Sequence, residues 1–219
     1  MNETAKTLSL MSAEQKKELL KGKGIDIGCG SDPVISDCIK FDMEQGDANH
    51  ITDYIKEKFD FVWSSHCLED MENPHQAILE WWSLVKPGGK MIIIVPDEDL
   101  YEQGVFPSRY NGGHRHTFTI SKFKSWSPVS INLLDLIKSL PDTADYSIQL
   151  QDCGYDRSML FWGNSCRIFR SIQRRLMNFR FIRSSSFWMR IISKFASIDQ
   201  TFLYPDRMAQ IQAIVIKAK

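Results

Sequence analysis

A glycine-rich loop is the first stretch of the sequence that could do chemistry. Residues 24–33 read GIDIGCGSDP, in which two isoleucines alternate around Asp26 and are followed at once by Gly28 and Gly30. A buried strand that ends in glycines lets the backbone approach a ligand closely, because no Cβ stands in the way. The loop is not the dinucleotide pattern G-x-G-x-x-G, since Pro33 stands at the last position, and it is not a phosphate loop ending in Gly-Lys-Ser/Thr. It therefore predicts a nucleotide-type ligand without identifying it.

The five histidines are the candidates for moving a proton near neutral pH. His50 and His75 occupy predicted loop or helix-start positions, where structural or solvated roles are expected. His66 directly follows a predicted strand, and His114 and His116 lie in a long polar loop. The i, i+2 spacing of the last two could also bind a metal, but the sequence offers no evident third ligand, so no metal is expected. His114 and His66 are the leading candidates for a general base, and an orienting hydrogen bond is the alternative role for each.

Alternating strands and helices must position these residues. The patterns predict strands at 24–28, 38–42, 59–65, 90–96, 146–152 and 210–217, helices at 12–20, 74–85 and 130–140, and one or two basic helices within 160–196. The helix at 74–85 is expected to stop at the breaker Lys-Pro-Gly-Gly of residues 86–89. This alternation predicts a mostly parallel sheet in a three-layer α/β fold. Ligands bind at the carboxyl ends of such strands, where the glycine loop and His66 lie.

Four motifs, taken in chain order, resemble those of class I S-adenosylmethionine-dependent methyltransferases. They are GIDIGCG at 24–30, the acid Asp42, FDFVWSSHCLEDM at 59–71 and LVKPGGKMIIIVP at 84–96. The resemblance spans residues 24–96. It implies a Rossmann-like fold with a last antiparallel strand, S-adenosylmethionine as the cofactor, and methyltransferase activity.

The resemblance also implies which residues hold the cofactor. Asp42 would accept hydrogen bonds from the ribose hydroxyls, because one carboxylate can accept from both groups of a diol. The other residues that the resemblance places at the cofactor are Asp26, Gly28 and Gly30 beside the methionine part, Asp47 and Ala48 beside the adenine, and Ser64, Ser65 and His66 near the transferred methyl group. The alternatives are a surface acid for Asp42 and a helix or loop cap for Asp26.

Two crossovers of the chain are shorter than the family pattern. Only eight residues separate Gly30 from Ile39, and only four separate Asp42 from Asp47. Typical members place helices at these two points. We therefore expect part of the cofactor side to be covered by another segment or by a second subunit.

A polar block at 96–119, PDEDLYEQGVFPSRYNGGHRHTFT, resembles a subgroup of methyltransferases found among enzymes of bacterial capsule and O-antigen synthesis. The resemblance implies that the acceptor is a small polar molecule, namely a sugar, a nucleotide-linked sugar or a phosphoramidate-type group, methylated on oxygen. Its place directly after a strand suits an acceptor-binding loop, and a solvated surface loop is the alternative. The residues assigned here are His114, His66 and Tyr101 for catalysis, and Glu98, Tyr101, Arg109 and His116 for substrate binding.

Charge is distributed unevenly along the chain. Between Arg157 and Ile198 there are nine basic residues and no acidic one, which leaves 18 basic against 27 acidic residues elsewhere. The same segment carries eight aromatic residues. Four interpretations remain open: contact with an anionic membrane, recognition of a phosphate on the acceptor, binding of RNA, which is the weakest because no RNA-binding module is recognisable, or packing of the aromatics on the sheet or on a second subunit.

Length and composition predict one globular domain. The 219 residues are 43% hydrophobic and 25% charged, and five cysteines without metal-like spacing suggest reduced thiols and a cytoplasmic location, with peripheral contact to the inner membrane as an option. We divide the chain into an N-terminal helix (1–23), a cofactor-binding half (24–96), an acceptor loop (97–128) and a basic aromatic helical insertion (157–205).

The rival functions are methylation of another small molecule or of a nucleic acid, and a non-catalytic binding module that keeps the fold.

Overall fold

A six-stranded sheet forms the centre of the computed structural model, which describes residues 3–219 apart from the side chains of Glu3, Arg167 and Ser186. The strand order is β2-β1-β3-β4-β8-β7. The first four of these strands are parallel to one another, and β8 runs antiparallel to both β4 and β7. The fold therefore confirms the mostly parallel sheet and the last antiparallel strand. The strands are β1 (Gly24–Ile27), β2 (Ile39–Phe41), β3 (Phe59–Ser65), β4 (Val85–Pro96), β7 (Thr143–Gln151) and β8 (Gln210–Lys217), and β5 (Thr117–Thr119) and β6 (Ser130–Asn132) pair separately.

Helices cover both faces of the sheet and complete the three layers. On one face, the buried side chains of Trp81, Trp82 and Ile137 join the core formed by the strands. On the other face, Met11 packs with Phe61 and Trp63. The helices are α1 (Glu3–Leu10), α2 (Ala13–Leu19), α3 (Ile51–Tyr54), α4 (Pro74–Ser83), α5 (Leu133–Lys138), α6 (Arg167–Leu176), α7 (Arg180–Arg183), α8 (Ser186–Ser193) and α9 (Gln200–Leu203).

The N-terminal helices replace the missing crossover helix between β1 and β2. The loop that joins these strands contributes Val34 and Cys38 to the core on the face where Met11 lies. Leu8 and Leu19 pack against the same core. This face of the sheet is therefore covered by a segment of the same chain. A capping box between Ser12 and Gln15 starts α2, as the sequence predicts.

The Lys-Pro-Gly-Gly stretch at 86–89 does not separate a helix from a strand as predicted. Helix α4 ends at Ser83, and β4 begins at Val85, which pairs with Phe59. The register shifts between Phe59 and Phe61, so the stretch lies within an irregular first part of β4. Gly89 permits this path, because a Cβ there would lie 2.9 Å from the carbonyl oxygens of Asp60 and Lys86. Pairing with β3 thus outweighs the local tendency of proline and glycine to break a strand.

Residues 160–196 of the basic aromatic insertion form three short helices, α6 to α8, where one or two were predicted. Met159, Met189 and Ile198 form part of a small buried cluster beneath them. The aromatic side chains do not pack on the sheet as one of the interpretations expects, because Phe181 and Phe187 are 65% and 66% exposed. Among residues 3–219, no helix combines the length and the hydropathy needed to cross a membrane.

Candidate active site

A cavity of about 610 Å³ lies at the carboxyl ends of β1, β2 and β3. Five residues assigned to the cofactor line it, namely Gly28, Asp42, Asp47, Ala48 and His66. Ala48 is held by α4, since its carbonyl oxygen accepts a hydrogen bond of 2.8 Å from Trp81 Nε1. The structure thus brings the ribose and adenine candidates together with His66 around one space.

The glycine loop and Asp42 support each other. Asp42 accepts hydrogen bonds from the backbone N–H groups of Gly30, at 2.6 Å, and of Met43, at 2.7 Å. Gly28 has φ +76°, and a Cβ there would lie 2.5 Å from Cys67 Cβ. Any other residue at this position would strain the backbone and collide with the segment after β3. Asp42 therefore shapes the loop as well as facing the cavity, and its carboxylate oxygens keep lone pairs for a ligand.

Three carboxyl groups give this cavity an acidic wall. Asp42, Asp47 and Asp70 line it, and Arg115 is the basic side chain that the described residues place there. Asp70 Oδ1 is buried without a hydrogen-bond partner among the described residues. Burial, followed by the charge of Glu69, raises the pKa of Asp70. A cationic ligand group next to Asp70 would offset the free-energy cost of burying its charged carboxylate.

A second cavity, of about 280 Å³, opens on the other side of His66. Tyr101, Tyr110 and His114 line it from the polar loop, and Gln210 lines it from the start of β8. The ring of Tyr101 lies 5.6 Å from Tyr110 and 5.4 Å from His114, measured between ring centroids. Of the residues that the structure describes, His66 is the one that lines both this cavity and the larger one. The first cavity suits a cofactor and the second suits a small polar acceptor.

Comparison with known proteins agrees with this arrangement. Residues 24–93 match the sequence family described as a methyltransferase domain. The chain contains a methyltransferase domain. Such a domain uses S-adenosylmethionine, so the enzyme is an S-adenosylmethionine-dependent methyltransferase. No curated protein matches this sequence.

Several solved methyltransferases are similar to this methyltransferase in structure. An S-adenosylmethionine-dependent methyltransferase from Thermotoga maritima is 15% identical, with a TM-score of 0.48, over 98% of this chain and 87% of that one. One from Archaeoglobus fulgidus is 15% identical, with a TM-score of 0.46, over 97% and 94% of the two chains. The phosphoethanolamine N-methyltransferase 2 of Haemonchus contortus is 13% identical, with a TM-score of 0.49, over 95% of this chain and 53% of that one.

The residues around the larger cavity fit the cofactor of this methyltransferase. S-adenosylmethionine carries a sulfonium, an ammonium and a ribose diol, all of which carboxylates can hold. The unpartnered Oδ1 of Asp70 and the carboxylates of Asp42 and Asp47 supply such acceptors. Gly28 lines the same cavity, where its positive φ and its lack of a Cβ let the loop pack against Cys67.

Four of the predicted cofactor residues do not line either cavity. Asp26 is 1% exposed, and its carboxylate accepts a hydrogen bond of 2.7 Å from the backbone N–H of Val34. In the structure Asp26 fixes the loop after β1, a role similar to the loop cap that the sequence analysis gave as the alternative for this residue. Gly30 contributes through its bond to Asp42, while Ser64 and Ser65 are buried at the end of β3.

A histidine-carboxylate chain connects the two cavities of the methyltransferase. Glu69 Oε1 lies 3.5 Å from His66 Nδ1 and 3.7 Å from His114 Nε2. His114 Nδ1 lies 2.7 Å from Glu102 Oε1. The backbone carbonyl of Glu69 also accepts hydrogen bonds from the N–H groups of Arg115 and His116, which holds the polar loop against the turn at Leu68–Asp70. The histidine-carboxylate chain therefore depends on contacts between β3, the turn after it and the polar loop.

His114 is a better candidate for a proton donor or an orienting group than for the base. Burial by itself lowers the pKa of His114, but the hydrogen bond to Glu102 and the charges of Glu69, Glu102 and Asp70 together raise it above the ordinary value. Both ring nitrogens face carboxylates, so the imidazolium form is favoured. His66, which is also at the junction of the cavities, becomes the leading candidate for the base.

Three predicted substrate residues lie outside the acceptor cavity. Glu98 is fully buried, and its carboxylate accepts hydrogen bonds from Lys122, Thr117, Ser125 and Ser130. It therefore supports the loop instead of facing a ligand. The His116 side chain faces the Glu72 carbonyl, and Arg109 lines a different cavity.

Sequence reasoning missed four residues of the site. Glu69, Glu102 and Gln210 contact the two histidines, and Asp70 was also overlooked as a lining residue. The only sequence signal for Glu69 is its position three residues after His66 in a turn. Glu102 and Gln210 give no signal, because their contacts are made across the fold.

The stability of the methyltransferase is expected to fall between about pH 4 and about pH 7 because of Asp26. Burial is the main cause that raises the pKa of this carboxyl to about 7 from 3.8, and the charges of Asp42 and Asp32 add to it. The native state therefore binds a proton that the unfolded chain has released, so the free energy of unfolding decreases as pH rises through this window. Asp26→Asn keeps an oxygen for the Val34 N–H and should remove that decrease, as measured by urea denaturation from pH 4 to pH 8.

The matched control for this prediction is Asp37→Asn. Asp37 is an exposed acid in the same loop, and its replacement should leave the pH dependence of the wild type in place. Parallel stability curves for the wild type and Asp26→Asn across this window would contradict the prediction.

Proposed function

We propose that the enzyme transfers the methyl group of S-adenosylmethionine to a hydroxyl group of a small polar acceptor in surface-polysaccharide synthesis. The acceptor would be a sugar, a nucleotide-linked sugar or a phosphoramidate-type group. The observation that supports this proposal best is that His66 lines both cavities. A group at that junction stands where a methyl donor on one side and a hydroxyl on the other would meet.

The class of acceptor is supported by the polar loop. Tyr101, Tyr110, Asn111 and His114 of the loop line the smaller cavity. These side chains offer hydroxyl, amide and imidazole groups, which suit hydrogen bonding to a polyhydroxylated molecule. The resemblance of residues 96–119 to enzymes of capsule and O-antigen synthesis narrows this chemistry to surface glycans.

The cofactor supplies an electrophilic methyl group on a sulfonium. The protein contributes alignment, which provides much of the rate in a displacement of this kind. Asp42 and Asp70 would hold the cofactor in the larger cavity, and Tyr101 and Tyr110 would orient the acceptor in the smaller one. The buried position of the histidine-carboxylate chain keeps its charges away from water.

His66 would take the proton that the acceptor hydroxyl loses. Gln210 Nε2 donates to Thr7 Oγ1 and to Gln151 Oε1, each at 2.7 Å, which turns Gln210 Oε1 toward His66 Nε2 at 3.1 Å. Nε2 therefore donates a hydrogen bond, and Nδ1 is the nitrogen that accepts the proton. Glu69 Oε1, 3.5 Å from Nδ1, stabilises the imidazolium that forms.

The experiment that tests the function is methyl uptake from labelled S-adenosylmethionine. The purified enzyme is given separate pools of free sugars, nucleotide-linked sugars, phosphorylated glycan precursors, amines and RNA. The expected result is a methyl ether in one of the first three pools, identified by mass spectrometry. Label in the amines or in RNA would contradict the proposal, and absence of cofactor binding by calorimetry would favour a non-catalytic module.

A further inference from the structure

A third cavity, of about 600 Å³, lies between the basic insertion and the polar loop. Four arginines line it: Arg109 from the polar loop, Arg170 and Arg174 from α6, and Arg183 from α7. Asp199 is the acidic residue that lines it. One oxygen of Asp199 already accepts hydrogen bonds from the N–H groups that begin α9 and from the Thr201 hydroxyl. The cavity therefore has a formal excess of positive charge.

Among the described side chains, those of Arg170, Arg174 and Arg183 have no counter-ion. Among residues 3–219, no salt bridge or side-chain hydrogen bond joins Arg170, Arg174 or Arg183 to an acidic group. Arg109 is held by the Gly163 carbonyl at 2.5 Å and by the Asn164 side chain, and its Nε is buried without a partner in the described part of the chain. Burial lowers the pKa of the Arg109 guanidinium, and the nearby charge of Arg170 lowers it further. An anion between these groups would offset both effects.

The arginine-lined cavity adjoins the acceptor cavity. Tyr110, Asp199 and Phe202 line both. A ligand that places a hydroxyl near His66 could therefore extend past Tyr110 into the arginine-lined space. Guanidinium groups bind phosphate oxygens through charge-assisted and often bidentate hydrogen bonds.

We propose that this third cavity binds a phosphate or diphosphate group carried by the acceptor. The inference rests on the proposed function, because it assigns the anionic part of the same acceptor. It favours a nucleotide-linked or phosphorylated sugar over a neutral one. A concave cavity beside the acceptor site favours a soluble phosphate compound over the headgroup of a lipid surface.

The structure separates two neighbouring arginines that the sequence cannot distinguish. Arg174 lines the cavity, whereas Arg175 is exposed on the same helix and does not line it. Arg174→Gln and Arg170→Gln are therefore test variants, and Arg175→Gln is a control with the same change in charge. None of these side chains supports the core, so all three variants should fold like the wild type, as checked by circular dichroism.

The test is calorimetric binding of inorganic pyrophosphate and of uridine diphosphate to the full chain, without methyl transfer. We expect the double variant Arg170→Gln/Arg174→Gln to weaken both dissociation constants by about tenfold or more, while Arg175→Gln leaves them near the wild-type value. Added salt should weaken wild-type binding in the same direction. Failure of the wild type to bind either compound, or equal losses in the double variant and the control, would overturn the proposal.

A vesicle arm distinguishes the two sources of phosphate. The proposal expects that vesicles of phosphatidylglycerol do not compete with pyrophosphate for the wild-type protein. Vesicle binding that depends on Arg170 and Arg174, without pyrophosphate binding, would overturn it in favour of a membrane surface. A variant with altered oligomeric state in light scattering and unchanged pyrophosphate binding would overturn it in favour of a subunit interface. None of these measurements uses methyl transfer. They can therefore contradict the phosphate-binding proposal without contradicting the proposed function, and the methyl-uptake experiment can contradict the proposed function without contradicting phosphate binding.

Discussion

Replacement of His66 by asparagine is expected to lower the turnover number by a factor of about 10²–10⁴, the range typical for loss of a general base. His66 lies at the junction of the cofactor and acceptor cavities, and its Nδ1 faces Glu69. Asparagine is the suitable replacement because His66 has φ +54°, a left-handed conformation that asparagine adopts more readily than most residues. The cofactor dissociation constant, measured by calorimetry, should change far less than turnover.

His75→Asn is the matched control for this variant, because His75 is exposed on α4 and lines neither of these two cavities. It should retain wild-type turnover. A pH profile of kcat/KM in the wild type should show one essential group that must lose its proton, and that limb should be absent from any residual activity of His66→Asn. Full activity of His66→Asn, or loss of activity only in His114→Asn, would place the base at His114 instead.

Replacement of Asp42 by alanine is expected to weaken cofactor affinity about ten- to hundredfold. The charge-assisted hydrogen bonds from the ribose would be lost, and so would the acceptor for the N–H groups of Gly30 and Met43 that shape the glycine loop. Calorimetry with S-adenosylmethionine measures the change. Asp42→Asn separates the two contributions, because the amide keeps an oxygen for one backbone N–H but carries no charge.

Glu44→Ala provides the control for Asp42. Glu44 is an exposed acid two residues away that does not line the cofactor cavity, so its removal changes the net charge equally without touching the site. Its cofactor affinity should match that of the wild type. An unchanged dissociation constant in Asp42→Ala would mean that another residue holds the ribose.

Local patterns in the sequence determined most of the sheet and the cofactor side. Strands 59–65 and 210–217 were predicted with the bounds of β3 and β8, because their apolar residues form an unbroken pattern between clear breaks. The capping box of α2 and the glycine at position 28 were also readable, since each depends on residues within a few positions. Asp42, Asp47, Ala48 and His66 line one cavity because they follow the ends of β2 and β3, and parallel strands bring those ends to the same edge of the sheet.

Tertiary structure determines which side chains of the polar loop and of the basic insertion line a cavity. Sequence position predicted Glu98, Arg109 and His116 as substrate ligands. The buried carboxylate of Glu98 instead accepts four hydrogen bonds from other side chains of the protein. The side chain of Arg109 lines the third cavity, together with arginines of α6. Glu69 could not be recognised as the link between His66 and His114, because the two histidines meet it only after the loop folds back on the turn behind β3. Likewise, Arg174 and Arg175 are equivalent by type and neighbourhood, and only the direction that each takes from α6 places one of them in a cavity. The physical reason is the same in each case: strand ends and caps are fixed by neighbours in sequence, whereas the direction of a loop or surface side chain is set by packing against distant segments.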